Sequence, residues 1–151
     1  MNKNSRIMIS GAGVAGLTAA IWLGRHGFRP VIIEKAPVIR ADGYIISLSH
    51  KSFQYANELG LLPQMLERNT GISYSSYHDR KGRTMLLLDY QDLFAGVDIV
   101  QIMRDELEMV LYEAAKDLAE FRFGLSATAI NQADDRVSVR FDNGNEEDFD
   151  L

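Results

Sequence analysis

The chain has 151 residues, 46% of them hydrophobic, which suits one modest globular domain. Its net charge of −5 argues against nucleic acid and an anionic membrane surface as partners, and we expect no membrane association. The absence of cysteine excludes disulfides, thiolate metal sites and a cysteine nucleophile, and it is compatible with the cytoplasmic location that we expect.

The first two strands and the helix between them are predicted to form a βαβ unit. Residues 6–10 (RIMIS) are a short apolar run between turn signals, which is typical of a buried strand. Helix-forming residues follow over 14–26, and Gly27 suits the left-handed position that ends a helix. Residues 30–34 (PVIIE) then predict a second buried strand.

Three glycines in the pattern G-x-G-x-x-G lie between the first strand and the helix. Gly11 permits a tight turn, Gly13 lets a diphosphate approach the main chain, and Gly16 lets the helix pack close to the strand. Free amides at the helix start would bind the anion, and Glu34 would accept hydrogen bonds from an adenosine ribose. The alternative is a helix that packs tightly on its strand, with Glu34 merely solvated. The order of the elements favours a dinucleotide, and the acid disfavours a 2′-phosphate, but the pattern does not separate NAD from FAD.

The middle of the chain predicts a strand, a helix and a hairpin. Residues 43–48 (GYIISL) are expected to be extended, and a helix follows that is capped at Ser49 and ends at Gly60, after Leu59. Two alternating stretches flank the turn at residues 79–82, so residues 71–89 predict a β-hairpin.

The last third predicts one helix and four strands. A short strand at 120–123 precedes three antiparallel strands, whose turns fall at Asp134-Asp135 and Asn143-Gly144. The helix spans 104–118, and its apolar face consists of Leu107, Leu111, Ala114 and Leu118.

Four stretches of the chain carry a family resemblance. They are GAGVAGLTAAIWLGRHGFRPVIIEK (11–35), IRADGYIISLSHKSFQYANELGLLPQM (39–65), IMRDELEMVL (102–111) and the hairpin at 71–89. Through them the chain resembles the FAD-dependent monooxygenases of the aromatic-hydroxylase type, a family that includes p-hydroxybenzoate hydroxylase and the tetracycline-inactivating monooxygenases. The first stretch is the most specific of the four.

The resemblance implies FAD as the cofactor and a set of residues that bind it. Arg104 would reach the FAD diphosphate or ribityl chain, and Arg40 would lie near the cofactor, although each would otherwise be an ordinary surface charge. The sequence identifies no acid, base or nucleophile, and its three histidines lack the spacing of a metal site. The residues expected to bind the cofactor are Gly11, Ala12, Gly13, Val14, Ala15, Gly16, Glu34, Lys35, Arg40 and Arg104.

The expected fold class is α/β, a Rossmann-like FAD-binding βαβ domain with an antiparallel β-meander and an inserted β-hairpin. Residues 1–70 and 90–151 would form an incomplete FAD-binding domain, and residues 71–89 would belong to a substrate domain that is otherwise missing. Because the resemblance implies a longer protein, we expect an N-terminal fragment whose C-terminal half is absent or supplied by another chain. Such a fragment should retain FAD weakly or not at all and should not hydroxylate a substrate alone.

The resemblance implies the FAD-binding part of a flavin-dependent monooxygenase, which hydroxylates a small organic substrate with NAD(P)H and O2. The alternatives are another FAD-dependent oxidoreductase of the same nucleotide-binding class, an NAD-binding Rossmann dehydrogenase, and a non-catalytic remnant. The dehydrogenase is disfavoured because a hairpin and a meander follow Glu34 where further strand–helix units would be needed.

Overall fold

A computed structural model of the chain describes residues 3–39 and 43–151, so Arg40 lies outside the described residues. The elements, in chain order, are β1 (Arg6–Ser10), α1 (Val14–Arg25), β2 (Arg29–Glu34), β3 (Ile45–Ser49), α2 (His50–Glu58), α3 (Leu62–Glu67), β4 (Tyr74–His78), β5 (Thr84–Asp89), α4 (Tyr90–Leu93), β6 (Ile99–Met103), α5 (Arg104–Ala115), β7 (Glu120–Phe123), β8 (Ala127–Gln132), β9 (Val137–Phe141) and β10 (Glu146–Phe149). None of the helices in this described part combines the length and the apolar character needed to cross a membrane.

The described chain divides into two compact units. One consists of Met1–Gly43 with Leu107–Leu151, and the other of Tyr44–Glu106. Residues 1–70 and 90–151 are predicted to belong to an FAD-binding domain, and residues 71–89 to a substrate domain. Both are domains of a longer protein. That assignment stays a prediction.

A parallel sheet in the order β1-β2-β7 forms the centre of the first unit. β2 is the middle strand, and its residues from Pro30 to Ile33 are all buried because both faces of the sheet are covered. α1 joins β1 to β2 and buries Leu17, Ala20 and Ile21. Its end at Arg25, followed by Gly27 with φ +86°, is within one residue of the predicted boundary. The βαβ unit predicted from the sequence is therefore confirmed.

A three-stranded antiparallel meander, in the order β10-β9-β8, covers one face of this sheet. Its inward residues Val139, Phe141 and Phe149 form one buried cluster with Val31 and Ile33 of β2. Side chains along β2 alternate between the two faces of the sheet. Val31 and Ile33 therefore point to the same face, which is the face that the meander covers. The predicted α/β fold, with its meander and its hairpin, is confirmed.

An ion-pair network ties three strands of the first unit together. Glu147 of β10 lies between Arg6 of β1, at 2.6 Å, and Arg122 of β7. The Arg6 guanidinium also lies 4.9 Å from the centre of the Phe149 ring. Hydrogen bonding to Arg122 and Arg6 lowers the pKa of Glu147 from 4.5 to about 2. The network therefore joins the meander to both outer strands of the parallel sheet.

The helix predicted over 104–118 ends at Ala115, so its predicted C-terminus is wrong by three residues. The Leu118 amide donates to the Ala115 carbonyl at 2.8 Å, which tightens the chain into a turn before β7. α1 passes very close to this turn, because a Cβ at Gly24 would lie 2.9 Å from the Leu118 carbonyl oxygen. The predicted apolar face is also corrected, since the buried residues of α5 are Leu107, Glu108, Val110, Leu111 and Ala115.

The second unit contains two separate antiparallel strand pairs. β3 pairs with β6, and the predicted hairpin is confirmed as β4 and β5, which are joined by a turn at residues 79–82. α2 begins after Ser49, as predicted, and the Ser52 hydroxyl accepts a hydrogen bond from the Ser49 amide at 3.0 Å. β6 and the short helices α3 and α4 were not predicted.

Candidate nucleotide-binding site

The glycine loop turns the chain from β1 into α1. Gly11 has φ +103°, a conformation that L-residues with a Cβ rarely adopt, and its amide donates to the Ile33 carbonyl of β2 at 2.7 Å. Gly13 is the residue that precedes α1, and its carbonyl accepts from the Leu17 amide at 2.9 Å. The loop thus remains attached to the sheet while it places the start of α1 at the end of β1.

Gly16 allows α1 to pack against the loop. A Cβ built at this position would lie 2.0 Å from the carbonyl oxygen of Gly11 and 3.2 Å from Cγ2 of Ile9. The first contact is far inside van der Waals distance and involves backbone, so no side-chain rotation could relieve it. The role predicted for the third glycine, close packing of the helix on the strand and its loop, agrees with this geometry.

The start of α1 presents four backbone amides that can bind an anion. The amides of Gly13, Val14, Ala15 and Gly16 donate to no residue in the described part of the chain. Gly13 has no side chain that could cap the helix, and the first turn contains no acid. The amides and the positive end of the helix dipole together attract negative charge. The absence of side chains at the loop glycines gives such an anion access to the backbone.

Glu34, at the end of β2, lies beside this loop. Its Oε2 accepts from the Ala12 amide at 2.8 Å, and its Oε1 accepts from the Ala36 amide at 2.7 Å. The two bonds fix the half-buried carboxylate next to the glycine loop. A carboxylate accepts several hydrogen bonds, so hydroxyl donors of a ribose fit the chemistry of this group. A phosphate on the same ribose would meet a fixed negative charge.

Glu108 of α5, whose side chain is buried, was not predicted as a site residue from the sequence. Glu108 lines a cavity of about 30 Å³ together with Ala12 and Glu34, and Val38 and Ile39 complete its wall. Two acids therefore share this cavity with Ala12 of the glycine loop. The signal that could have revealed Glu108 is its helical spacing, three residues before Leu111 and seven before Ala115, on the buried face.

The structure brings Glu34 together with all six loop residues from Gly11 to Gly16 in the first unit. Lys35 is exposed and directly follows the acid. Arg40 lies outside the described residues. Arg104 belongs to the second unit, where it begins α5 and its guanidinium lies 5.8 Å from the centre of the Tyr44 ring. The binding roles of these residues stay predictions.

A strand, a glycine loop, a helix with free amides and an acid at the end of the next strand are typical of dinucleotide-binding α/β proteins. Comparison with known families then makes the assignment specific. Residues 4–150 match the family described as FAD binding domain, and the chain belongs to that family. The dinucleotide is therefore FAD, and the geometry of the loop and Glu34 fits its diphosphate and its adenosine ribose.

Two relatives of this chain are named flavin-dependent monooxygenases. A flavin-dependent monooxygenase of Legionella longbeachae is 34% identical over 152 residues, an alignment that covers 100% of this chain and 39% of the relative. A flavin-dependent monooxygenase of an unknown prokaryotic organism has the same identity and coverage. The chain thus spans about two fifths of the length of these curated relatives.

Solved structures give the same result for the fold. The chain superposes on the tetracycline destructase Tet(55) with a TM-score of 0.86 and 28% identity, over 100% of this chain and 38% of that one. The corresponding values for the tetracycline destructase Tet(51) are 0.84 and 26%, over 98% and 37% of the two chains.

Proposed function

We propose that the chain is the FAD-binding part of a flavin-dependent monooxygenase, which hydroxylates a small organic substrate with O2 and NAD(P)H. The observation that carries the proposal is the set of four amides at the start of α1 that donate to no described residue, next to the fixed carboxylate of Glu34. Membership of the FAD binding domain family and the similarity to flavin-dependent monooxygenases support it. FAD, when bound, would accept electrons from NAD(P)H and pass them to O2.

Each proposed contact follows from the chemistry of this chain's own groups. The amides of residues 13–16 would bind the diphosphate, and Glu34 would accept the ribose hydroxyls. Lys35, Arg40 and Arg104 would supply positive charge toward the same cofactor, since a diphosphate carries negative charge. None of these groups is assigned a proton transfer, and the catalytic residues are expected in the part of the enzyme that supplies the substrate domain.

The substrate side of the proposal concerns the β4–β5 hairpin. Residues 71–89 are proposed to belong to the substrate domain, because the hairpin is a two-stranded sheet whose residues Tyr74, Met85 and Leu87 are largely exposed. The similarity to two tetracycline destructases makes a polycyclic aromatic compound one candidate substrate. The remaining part of the fold could come from a second chain, and a cytoplasmic location is compatible with the absence of cysteine.

Titration of the chain with FAD, ADP and NAD tests the cofactor assignment. Isothermal calorimetry should give comparable binding of FAD and ADP and no tighter binding of NAD, because the contacts assigned in this chain are to the ADP half, which all three nucleotides share. Gly13→Val should reduce FAD affinity at least about tenfold, since a branched side chain would stand where the diphosphate approaches the backbone. Tighter binding of NAD would support a dehydrogenase, and binding of none of the three would support a non-catalytic remnant.

The test of the monooxygenase assignment uses the additional length that the curated relatives have beyond the part aligned with this chain. We expect the chain alone, saturated with FAD and supplied with NADPH, to form no hydroxylated product. Co-expression with the C-terminal remainder of the Legionella longbeachae relative should restore NADPH oxidation that depends on an organic substrate, with a product heavier by one oxygen atom. Co-expression of the Gly13→Val variant is the matched control. Substrate-dependent oxidation without oxygen in the product would contradict a monooxygenase and favour another flavin oxidoreductase.

A further inference from the structure

The turn between β9 and β10 contains the dipeptide Asn143-Gly144, which the FAD assignment does not use. Asn143 is the only asparagine in the sequence that is followed by a glycine. Both residues are exposed. A Cβ built at Gly144 would meet no heavy atom of the described residues within 4 Å, apart from those of its two neighbours in the chain. The turn therefore lies in open space, where water reaches the peptide and the main chain can move without disturbing the core.

Three hydrogen bonds set the geometry of this turn. The Phe141 amide donates to the Asn145 carbonyl at 2.8 Å, and the Gly144 amide donates to the Phe141 carbonyl at 3.0 Å, which together close the hairpin. The third bond involves a side chain, since the Asn145 amide donates to Oδ1 of Asn143 at 3.0 Å. The side-chain carbonyl of Asn143 is thus held beside the peptide that joins Gly144 to Asn145.

This arrangement favours attack of the main chain on the Asn143 side chain. A five-membered ring closes when the Gly144 nitrogen bonds to Cγ of Asn143. The attack places negative charge on Oδ1, and the Asn145 amide already donates to this atom. Gly144 has no Cβ to obstruct the approach. The hydrogen bond from the Gly144 amide to the Phe141 carbonyl has to open first, and hydrogen bonds in exposed turns open at a low cost in free energy.

We propose that Asn143 is a modification site, which deamidates spontaneously through a cyclic imide in the folded chain. The Gly144 nitrogen forms a bond to Cγ of Asn143, the bond from Cγ to Nδ2 breaks, and Nδ2 leaves as ammonia with the proton that the Gly144 nitrogen loses. Water then adds to one of the two imide carbonyls and opens the ring. Opening at one carbonyl gives aspartate, and opening at the other gives isoaspartate, in which the main chain runs through Cβ and Cγ. No oxidant, reductant or cofactor takes part.

The two products differ in their effect on the meander. Isoaspartate lengthens the main chain of the turn by one carbon atom and removes the side-chain oxygen that accepts the Asn145 amide. β10 follows directly, and it contributes Phe149 to the buried cluster and Glu147 to the ion pairs with the outer strands. We therefore expect isoaspartate to weaken the pairing of β9 with β10. Aspartate keeps the main chain and the acceptor oxygen, and it adds one negative charge.

Peptide mapping by mass spectrometry tests the site after the purified, folded chain has been kept for several days in mildly alkaline buffer. The peptide with Asn143 should gain about 1 Da, because an amide becomes an acid. It should do so at least about tenfold faster than a peptide with any other asparagine, since each of the others precedes a residue with a side chain. Two products should separate, and an isoaspartyl methyltransferase should label only one of them. Equal rates at the other asparagines would overturn the proposal.

Variants and a denatured sample complete the test. Asn143→Gln should abolish the mass gain at the turn, whereas Asn131→Gln, on the exposed face of β8 in the same meander, should leave its rate unchanged. In denaturant titrations, the isolated isoaspartate form should unfold at a lower midpoint than the unmodified chain, and the aspartate form close to it. An unchanged midpoint of the isoaspartate form would overturn the predicted effect on the meander. A mass gain at Asn143 in the denatured chain but not in the folded one would show that the turn protects the residue, and it would overturn the site.

Discussion

The Glu34 carboxylate accepts the Ala12 amide at 2.8 Å, and this bond joins the end of β2 to the glycine loop. The other carboxylate oxygen accepts the Ala36 amide at 2.7 Å, so the side chain cannot rotate away without losing two hydrogen bonds. A negative charge is thus held at one place beside the start of α1. From this position, the Glu34 carboxylate can discriminate between adenine nucleotides with and without a phosphate on the ribose.

The first prediction concerns this selection. ADP should bind at least about tenfold more tightly than its 2′-phosphorylated derivative, because the added phosphate would approach the Glu34 charge. Glu34→Gln should lower that ratio several-fold, since the charge is removed while the side chain keeps its size. Calorimetric titrations of both nucleotides measure the ratio, which is insensitive to a partial loss of folded protein.

Glu113→Gln is the control for Glu34→Gln. Glu113 lies on α5 in the same unit, and its side chain is 55% exposed and paired with Lys116. The substitution changes the net charge equally and should leave the nucleotide ratio unchanged. An equal effect of the two variants would attribute the selection to overall charge and would contradict the assigned role of Glu34.

The second prediction concerns Gly16. Gly16→Ala should reduce the free energy of unfolding by about 3 kcal/mol, because the new Cβ would lie 2.0 Å from the Gly11 carbonyl oxygen. Gly124→Ala is the control, since Gly124 has φ +66° but no heavy atom within 4 Å of the added Cβ. That variant should cost only about 1 kcal/mol of backbone strain. Chemical denaturation followed by circular dichroism measures both, and equal losses would contradict the packing role of Gly16.

Local sequence patterns were sufficient to predict those elements of the fold that carry a signal of their own. The βαβ unit, the hairpin and the meander were predicted because each has its own signal, a glycine loop or a turn between alternating residues. The end of α5 was not predicted, since the sequence to Leu118 remains compatible with a helix. At the end of α5, the chain tightens into a turn where α1 approaches closely at Gly24. A tertiary contact of this kind has no signal in the local sequence.

The candidate site was predicted in part for the same reason. The six loop residues and Glu34 were identified because their spacing along the chain follows from the geometry of one βαβ unit. Glu108 approaches the same loop from a helix more than seventy residues later in the sequence, and only the fold relates the two. An acid on the buried face of an amphipathic helix is a weak signal in a sequence, because a shift of one residue would place it in solvent.

The third prediction concerns the pH dependence of stability. Glu147 has a pKa of about 2 in the folded chain against an ordinary value of 4.5, because Arg122 and Arg6 donate to its carboxylate. The unfolded chain therefore takes up this proton at a higher pH than the folded chain. The stabilisation by Glu147 is complete above about pH 5 and is lost as the pH falls from 4.5 toward 2.

Denaturation at pH 7, 4.5 and 3 measures this contribution. Glu147→Gln should lower the free energy of unfolding at pH 7 by on the order of 1–2 kcal/mol, since Glu147 and its two partners are only partly shielded from solvent. The difference between variant and parent should shrink at pH 3. Glu146→Gln, on the same strand but paired with Arg140 in a more exposed position, should change little at any pH. A constant difference for Glu147→Gln across the pH range would show that the effect is not electrostatic.

The fourth prediction concerns the exposed hairpin. Met85 and Leu87 lie two residues apart on β5 of a two-stranded sheet and are 69% and 60% exposed. Such an apolar strand promotes pairing between copies, so the chain should self-associate at high concentration. The double variant Met85→Lys, Leu87→Lys should raise the dissociation constant of self-association at least about tenfold in sedimentation velocity. Thr84→Lys adds a charge to the same strand without removing an apolar side chain, and it should have a much smaller effect. If the double variant associates as strongly as the parent chain, the contact between copies lies elsewhere on the surface.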